Sequence, residues 1–294
     1  MTNLIRQMGY LIIATPDIEA SARDLTDILG LRVRSRSDEA ILMSSNAKQC
    51  EVAYFRADQS GIRAIGLEVV DNMAVEEVLR RVRSENLAVL SDTPSVPGIE
   101  RAVRFRTPFG PIIEVHTPCF RDASPQHLRA PIRAKRLDHV NLRTNDTRGF
   151  HDLLTGMLGM CLSDRTEDFE RAWYRCADGV HHTVAAGAGS GLHHYGFETH
   201  SVLDLVGVAD MLAAKGRTLL WGLGRHGPGN NIFSYYLDPA ECVIEASFGM
   251  ERIDNDLIHK PGVWDSDYEN RVLDLWGSKP PPSYSAASLT PFVE

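Results

Sequence analysis

Leu137-Asp138-His139-Val140-Asn141-Leu142-Arg143 alternates in character. In an extended strand, Val140 and Leu142 face one way and His139, Asn141 and Arg143 the other. Apolar side chains packed outward with polar ones turned inward suit the wall of a polar cavity. Two later stretches fit the same wall: Leu192-His193-His194-Tyr195-Gly196-Phe197-Glu198 and Cys242-Val243-Ile244-Glu245-Ala246. His139, His194 and Glu245 are therefore expected to meet on one metal ion.

The first strand has a counterpart earlier in the chain. Met8-Gly9-Tyr10-Leu11-Ile12-Ile13-Ala14-Thr15-Pro16-Asp17 aligns with Leu137 to Asp146 at an offset of 129. Leu25-Thr26-Asp27-Ile28-Leu29-Gly30 aligns with Leu154 to Gly159. Gly66-Leu67-Glu68 aligns with Gly196-Phe197-Glu198, and Pro108 to Glu114 with Pro239 to Glu245. Matches in order at a near-constant offset imply that two halves share one fold. Each half divides again into a strand, a helix and about three short strands. Asp71 or Asn72, the Thr144-Asn145-Asp146 run and Ser201 are candidate helix caps. The four helices are expected to run to Leu29, about Arg83, Leu158 and Lys215. The predicted fold is α+β, with four repeated βαβββ modules paired into two similar barrel-like domains. The predicted boundaries are 1–118 for a metal-free first domain and 136–252 for the second. A Pro-, Arg- and Ser-rich linker spans 119–135, and a tail over 253–294 packs on the second domain with its last residues loose.

The chain has 294 residues, 43% of them hydrophobic and 24% charged, with a net charge of −8. This is a soluble globular composition with no basic footprint for nucleic acid or an anionic membrane surface. No apolar run is long enough to span a bilayer, and Met1 to Arg6 shows no secretory pattern. The five cysteines are widely spaced and lack a C-x-x-C, which fits reduced thiols in a cytoplasmic protein rather than disulfides or a thiolate zinc site.

The repeat allows a controlled comparison within one chain. His139 corresponds to Tyr10, His194 to Ala64 and Glu245 to Glu114. The first half keeps the scaffold but lacks the imidazoles. A single strand histidine is usually a hydrogen-bonded polar residue. Two imidazoles and a carboxylate at matching places in three strands instead form the facial arrangement of non-haem Fe(II) sites, with Mn(II) the lesser alternative.

With these residues in view, the chain resembles the type I extradiol ring-cleaving dioxygenases of the vicinal oxygen chelate superfamily, in particular those acting on 2,3-dihydroxybiphenyl-like catechols. The resemblance rests on Leu137-Asp138-His139, on His193 to Phe197, and on Tyr235-Tyr236-Leu237-Asp238-Pro239 leading to Glu245. It favours His194 over His193 as the ligand, with His193 facing the other way. It implies that His182, in Cys176 to Ala185, is an acid–base residue and His181 structural. It also implies that Tyr235 hydrogen-bonds a substrate oxygen and that His226 assists it. Asn230 and Asn231 imperfectly match polar residues of the same loop. In the first half, Tyr235 corresponds to Arg104 and His182 falls near Ala53. The implied activity is ring opening of a catechol by O2 at Fe(II) in aromatic catabolism, by a homo-oligomer. The rivals are a glyoxalase-type isomerase or lyase, which normally uses four protein ligands, a 2-oxo-acid oxygenase of the hydroxyphenylpyruvate type, and a non-catalytic aromatic-binding protein.

Overall fold

The computed structural model describes residues 3–122, 133–265, 272–289 and 292. The chain runs β1 (Ile5–Thr15), α1 (Ile18–Leu29), β2 (Arg32–Arg36), β3 (Ala40–Ser44), β4 (Val52–Arg56). A second module follows as β5 (Gly61–Val69), α2 (Asn72–Ser84), β6 (Val89–Ser91), β7 (Ala102–Arg106), β8 (Ile112–His116). The third is β9 (Ala134–Thr144), α3 (Thr147–Asp152), β10 (Cys161–Thr166), β11 (Arg171–Arg175), β12 (Val184–Ala188). The fourth is β13 (Gly191–Thr199), α4 (Val202–Ala214), β14 (Trp221–Arg225), β15 (Ile232–Leu237), β16 (Val243–Phe248). Four βαβββ units are thus present. Short additions follow: β17 (Gly262–Trp264) and α5 (Pro282–Ser285).

Local chemistry explains the helix ends. The carboxylates of Asp17, Asp71 and Asp146 accept the backbone N–H groups of Ala20, Ala74 and Gly149, and Ser201 with Asp204 forms a capping box. Gly30 closes α1 at φ 78°, a conformation that favours glycine. The third helix departs from expectation: after Asp152 it widens into a π-helical turn over Leu153–Met157 before Gly159.

Each pair of modules forms one sheet. The first has strand order β2-β3-β4-β1-β5-β8-β7-β6, and the second β14-β15-β16-β13-β9-β12-β11-β10-β17. The central pairs β1/β5 and β9/β13 are antiparallel, while each first strand runs parallel to the last strand of its own module. Leu11 and Ile13 of β1, with Val140 and Leu142 of β9, enter one apolar core shared with the helices. The opposite faces differ. In the first sheet Tyr10, Ile12, Cys50, Ala53, Ala64 and Ile112 fill the interior with a second apolar cluster. In the second sheet the corresponding face lines a polar cavity, reached both from β11 and from β15, so the sheet wraps around it as an incomplete barrel.

Register corrects one correspondence. Leu11 pairs with Val52 as Val140 pairs with Val184, which sets His182 against Cys50 rather than Ala53. The connecting segments also differ from expectation. β9 begins at Ala134, inside the stretch read as linker, and Arg121 bridges to Lys48. Residues 123–132 of that stretch lie outside the described residues. The tail does not contact the second half alone. β17 extends the second sheet beside β10, Leu289 pairs with Leu192, and Phe292 bridges to Ile62 of the first half. Leu289 and Phe292 are therefore held in place, whereas 290, 291, 293 and 294 lie outside the described residues. Among the described residues, no helix is long and apolar enough to cross a membrane.

A buried polar cluster joins the halves. Tyr54 of β4 donates to Asp238 at 3.3 Å and lies 3.1 Å from the hydroxyl of Tyr195. Asp238 also accepts the N–H groups of Ala240 and Cys242 at 2.9 and 2.8 Å. Burial, reinforced by Asp24, still lifts its carboxyl to about 7. A carboxyl raised on folding contributes stability that is complete below its unfolded pKa and is lost as pH climbs to the folded value. Asp238→Asn removes that titration. Between pH 5 and 8 the variant should gain on the order of 2–3 kcal/mol relative to the parent, read from urea midpoints. Parallel pH profiles for the two proteins would refute the account.

Candidate metal centre

β9 turns His139, Asn141 and Arg143 to the cavity, as the alternation requires. The imidazole of His139 needs space, and Gly196 opposite it on β13 supplies it. A Cβ at Gly196 would stand 2.2 Å from the His139 ring. Gly66 gives Tyr10 the same room in the first half, where a Cβ would come within 2.8 Å. Both halves thus use a glycine to admit a ring over the central strand pair.

His139, His194 and Glu245 converge. One donor atom from each lies within 4.8 Å of the others, and all three side chains are buried. Nε2 of His139 and of His194 stand 3.1 and 3.3 Å from Glu245 Oε2. Burial opposes charging of His139, but Glu245 and Asp138 outweigh it and raise its pKa to about 10. Burial lowers that of His194 to about 4 despite the same carboxylate. Glu245 is also disfavoured as an anion by burial, yet the surrounding imidazoles hold it well below the usual carboxylate range.

Hydrogen bonds fix which nitrogen each imidazole presents. Asp138 accepts from His139 Nδ1 at 3.3 Å and is itself paired with Arg136. The carbonyl of Tyr284 can only accept, so His193 donates to it through Nε2 at 2.9 Å. Burial keeps His193 neutral, with its pKa well below the ordinary value. Its Nδ1 therefore accepts from His194 Nδ1 at 2.7 Å. His194 is left with a bare Nε2 aimed at the shared carboxylate, whereas His139 holds a proton on Nε2 against Glu245 that an incoming cation would displace. Such nitrogens beside a carboxylate oxygen, with no thiolate, fit Fe(II) or Mn(II).

A further set of residues surrounds these three. His182 lines the cavity with its ring edge-on to His139, centroids 4.8 Å apart. Its Nδ1 meets His181 Nδ1 at 3.0 Å, and His181 Nε2 lies 3.3 Å from Asp164. Asp164 is held in turn by the N–H groups of Gly262 and Trp264 on β17. Burial, then His139 and His181, holds His182 well below its ordinary pKa, hence neutral. His226 donates through Nδ1 to the Leu273 carbonyl at 2.6 Å, so its Nε2 accepts the Tyr235 hydroxyl at 2.8 Å. The Asp238-Pro239 turn sets Tyr235 directly opposite Glu245.

Two features, at His193 and Tyr284, differ from or escape the sequence reading, and a third, Asn231, was matched only imperfectly. His193 does not face away: a register shift between Leu192 and His194 brings both histidines to the cavity. Asn231 is fully buried, and its amide donates to Glu245 Oε1 at 3.0 Å and to Ser247 at 2.9 Å. Its place one residue before β15, the strand paired with β16, was the available signal. Tyr284 of α5 lines the cavity with its ring 4.7 Å from those of Tyr235 and His193.

Residues 136–246 match the family described as the Glyoxalase/Bleomycin resistance protein/Dioxygenase superfamily. "Metapyrocatechase 2" of Cupriavidus necator is 25% identical over 85% of this chain and 82% of its own length. "Biphenyl-2,3-diol 1,2-dioxygenase" of Pseudomonas sp. (strain KKS102) is 26% identical over 83% and 89%. Among solved structures, a Mn(II)-bound glyoxalase from Novosphingobium aromaticivorans superposes with a TM-score of 0.86 at 25% identity, covering 96% of this chain and 94% of that one. The family match falls on the half that carries the histidines, while the longer alignments span both. The likeness to the Glyoxalase/Bleomycin resistance protein/Dioxygenase superfamily thus lies on residues 136–246, and over most of its length the chain is similar to the two relatives named above.

Proposed function

We propose that the protein is an extradiol dioxygenase, opening a catechol ring with O2 beside the hydroxylated carbons at a non-haem Fe(II) held by His139, His194 and Glu245. The observation that carries this reading is one cavity in which three donor atoms converge beside His182 and the Tyr235–His226 pair. The two named relatives are both catechol-cleaving enzymes by title, which supports the same substrate class.

The ion would supply a site at which a catecholate and O2 meet and exchange electrons. The remaining tasks belong to side chains. Tyr235 places a phenol hydroxyl over the substrate oxygen, and His226 receives the proton of that hydroxyl's hydrogen bond. His182, buried and neutral, presents its outer nitrogen to the cavity as a base that takes a proton from the catechol hydroxyls and then, as imidazolium, returns it to the departing oxygen. Asn231 and Asp138 orient the carboxylate and the first imidazole. Tyr284 and Trp173 line the cavity with aromatic faces.

The superposed glyoxalase keeps an isomerase in view. Against it stands the donor set: the described residues bring three candidate ligands together where that kind normally uses four, and that kind has no counterpart of the His182 and Tyr235 layer. Anaerobic loading with Fe(II), followed by air and a panel of catechols, should yield a yellow ring-opened product. Stoichiometric Fe(II) with no product from any catechol would overturn the proposal.

A further inference from the structure

Three rows of side chains cross the inner face of β9, β12 and β11. His139 stands in the deepest row. One step outward, Asn141, Ala185 and Trp173 lie side by side in register. A further step outward, Arg143, Gly187 and Arg171 do the same. Directly opposed residues share a face of the sheet, and both arginines line the cavity. Gly187 leaves a slot between them: a Cβ there would stand 3.6 Å from Arg143 Nη1 and 3.9 Å from Arg171 Cγ.

Neither guanidinium has a carboxylate partner among the described residues. Arg143 donates to the carbonyls of Ala188 at 3.3 Å and Ser285 at 3.0 Å. Arg171 makes no side-chain hydrogen bond among the described residues, although other arginines such as Arg101 and Arg136 are paired with carboxylates. Two strand spacings set the backbones of the pair about 10 Å apart. Like charges facing one slot without a counter-ion disfavour the empty state, and an anion would relieve that cost. The overall charge of −8 makes this cationic spot a local feature rather than a result of composition.

We propose that Arg143 and Arg171 form an anion subsite, and that the substrate is a catechol carrying a carboxylate on a short tether away from the hydroxyls. This rests on the ring-cleavage reading for the catechol part. Each step between rows is about 6.6 Å along the strand. A ring whose oxygens meet the ligand triad would pass over Ala185 and Trp173 and direct its far substituent at the slot. A neutral second ring there would cover two guanidiniums without satisfying them.

The test is equilibrium binding of 3-(3,4-dihydroxyphenyl)propionate and of its primary amide to the Fe(II)-loaded protein without oxygen, read by tryptophan fluorescence. The acid should bind about 10- to 100-fold more tightly than the amide, the range of a charge-assisted hydrogen bond. Arg171→Met should bring the acid close to the amide, and Arg171→Lys should keep part of the preference. Equal binding of the two compounds, or a preference untouched in Arg171→Met, overturns the subsite. Ring cleavage measured in parallel separates the two proposals. Cleavage of both compounds without an acid preference leaves the dioxygenase standing and removes the subsite. Arg171-dependent binding of the acid with no cleavage of either does the reverse. No binding of either compound counts against both.

Discussion

His194→Ala should lose its iron: binding at least about 100-fold weaker than the parent, beyond the range typical of changes outside the ligand set. Iron content after desalting measures it, with circular dichroism confirming the fold. The donor set has three members, and removal of one leaves a single imidazole and a carboxylate. His193 is poorly placed to step in: its Nε2 is committed to the Tyr284 carbonyl, and its Nδ1 meets the nitrogen of His194 that faces away from Glu245, outside the converging donor atoms. A variant that retains a full equivalent of iron would remove His194 from the ligand set.

His182→Ala should keep iron and bind substrate, yet turn over about 10² to 10⁴ times more slowly, the usual size of a general acid–base contribution. The ring touches His139 edge-on without entering the set of converging donor atoms. Its inner nitrogen is tied through His181 to Asp164, so its outer nitrogen is held toward the cavity. Single-turnover rates with substrate in excess separate this from a binding defect. Unchanged turnover would assign the acid–base work elsewhere.

The duplicated fold could be read from the sequence because each module repeats a strand with one apolar face, and such alternation survives divergence. The convergence of His139, His194 and Glu245 could be read because Tyr10, Ala64 and Glu114 supply an internal reference against which the two histidines stand out. What escaped the reading depends on register and distance. A bulge turns His193 into the cavity, and no count of alternating residues reveals a bulge. Asn231 acts across a strand pair, and Tyr284 arrives from a tail outside the repeat. Local pattern carries no information about either contact. The position of His182 against Cys50 rather than Ala53 likewise follows from hydrogen-bonded pairing, which sequence offsets near loops cannot fix.

The first half answers its buried carboxylate from within. Glu114 is met by the Tyr10 hydroxyl, by Ser95 and by Arg104, all encoded by the same chain. Glu245 has its counterpart in two neutralisable imidazoles and, on the reading above, in a cation drawn from the surroundings. One lobe is therefore self-sufficient, whereas the rigidity of the other varies with how much free metal the medium contains. In iron-poor conditions such a molecule would soften on one side only.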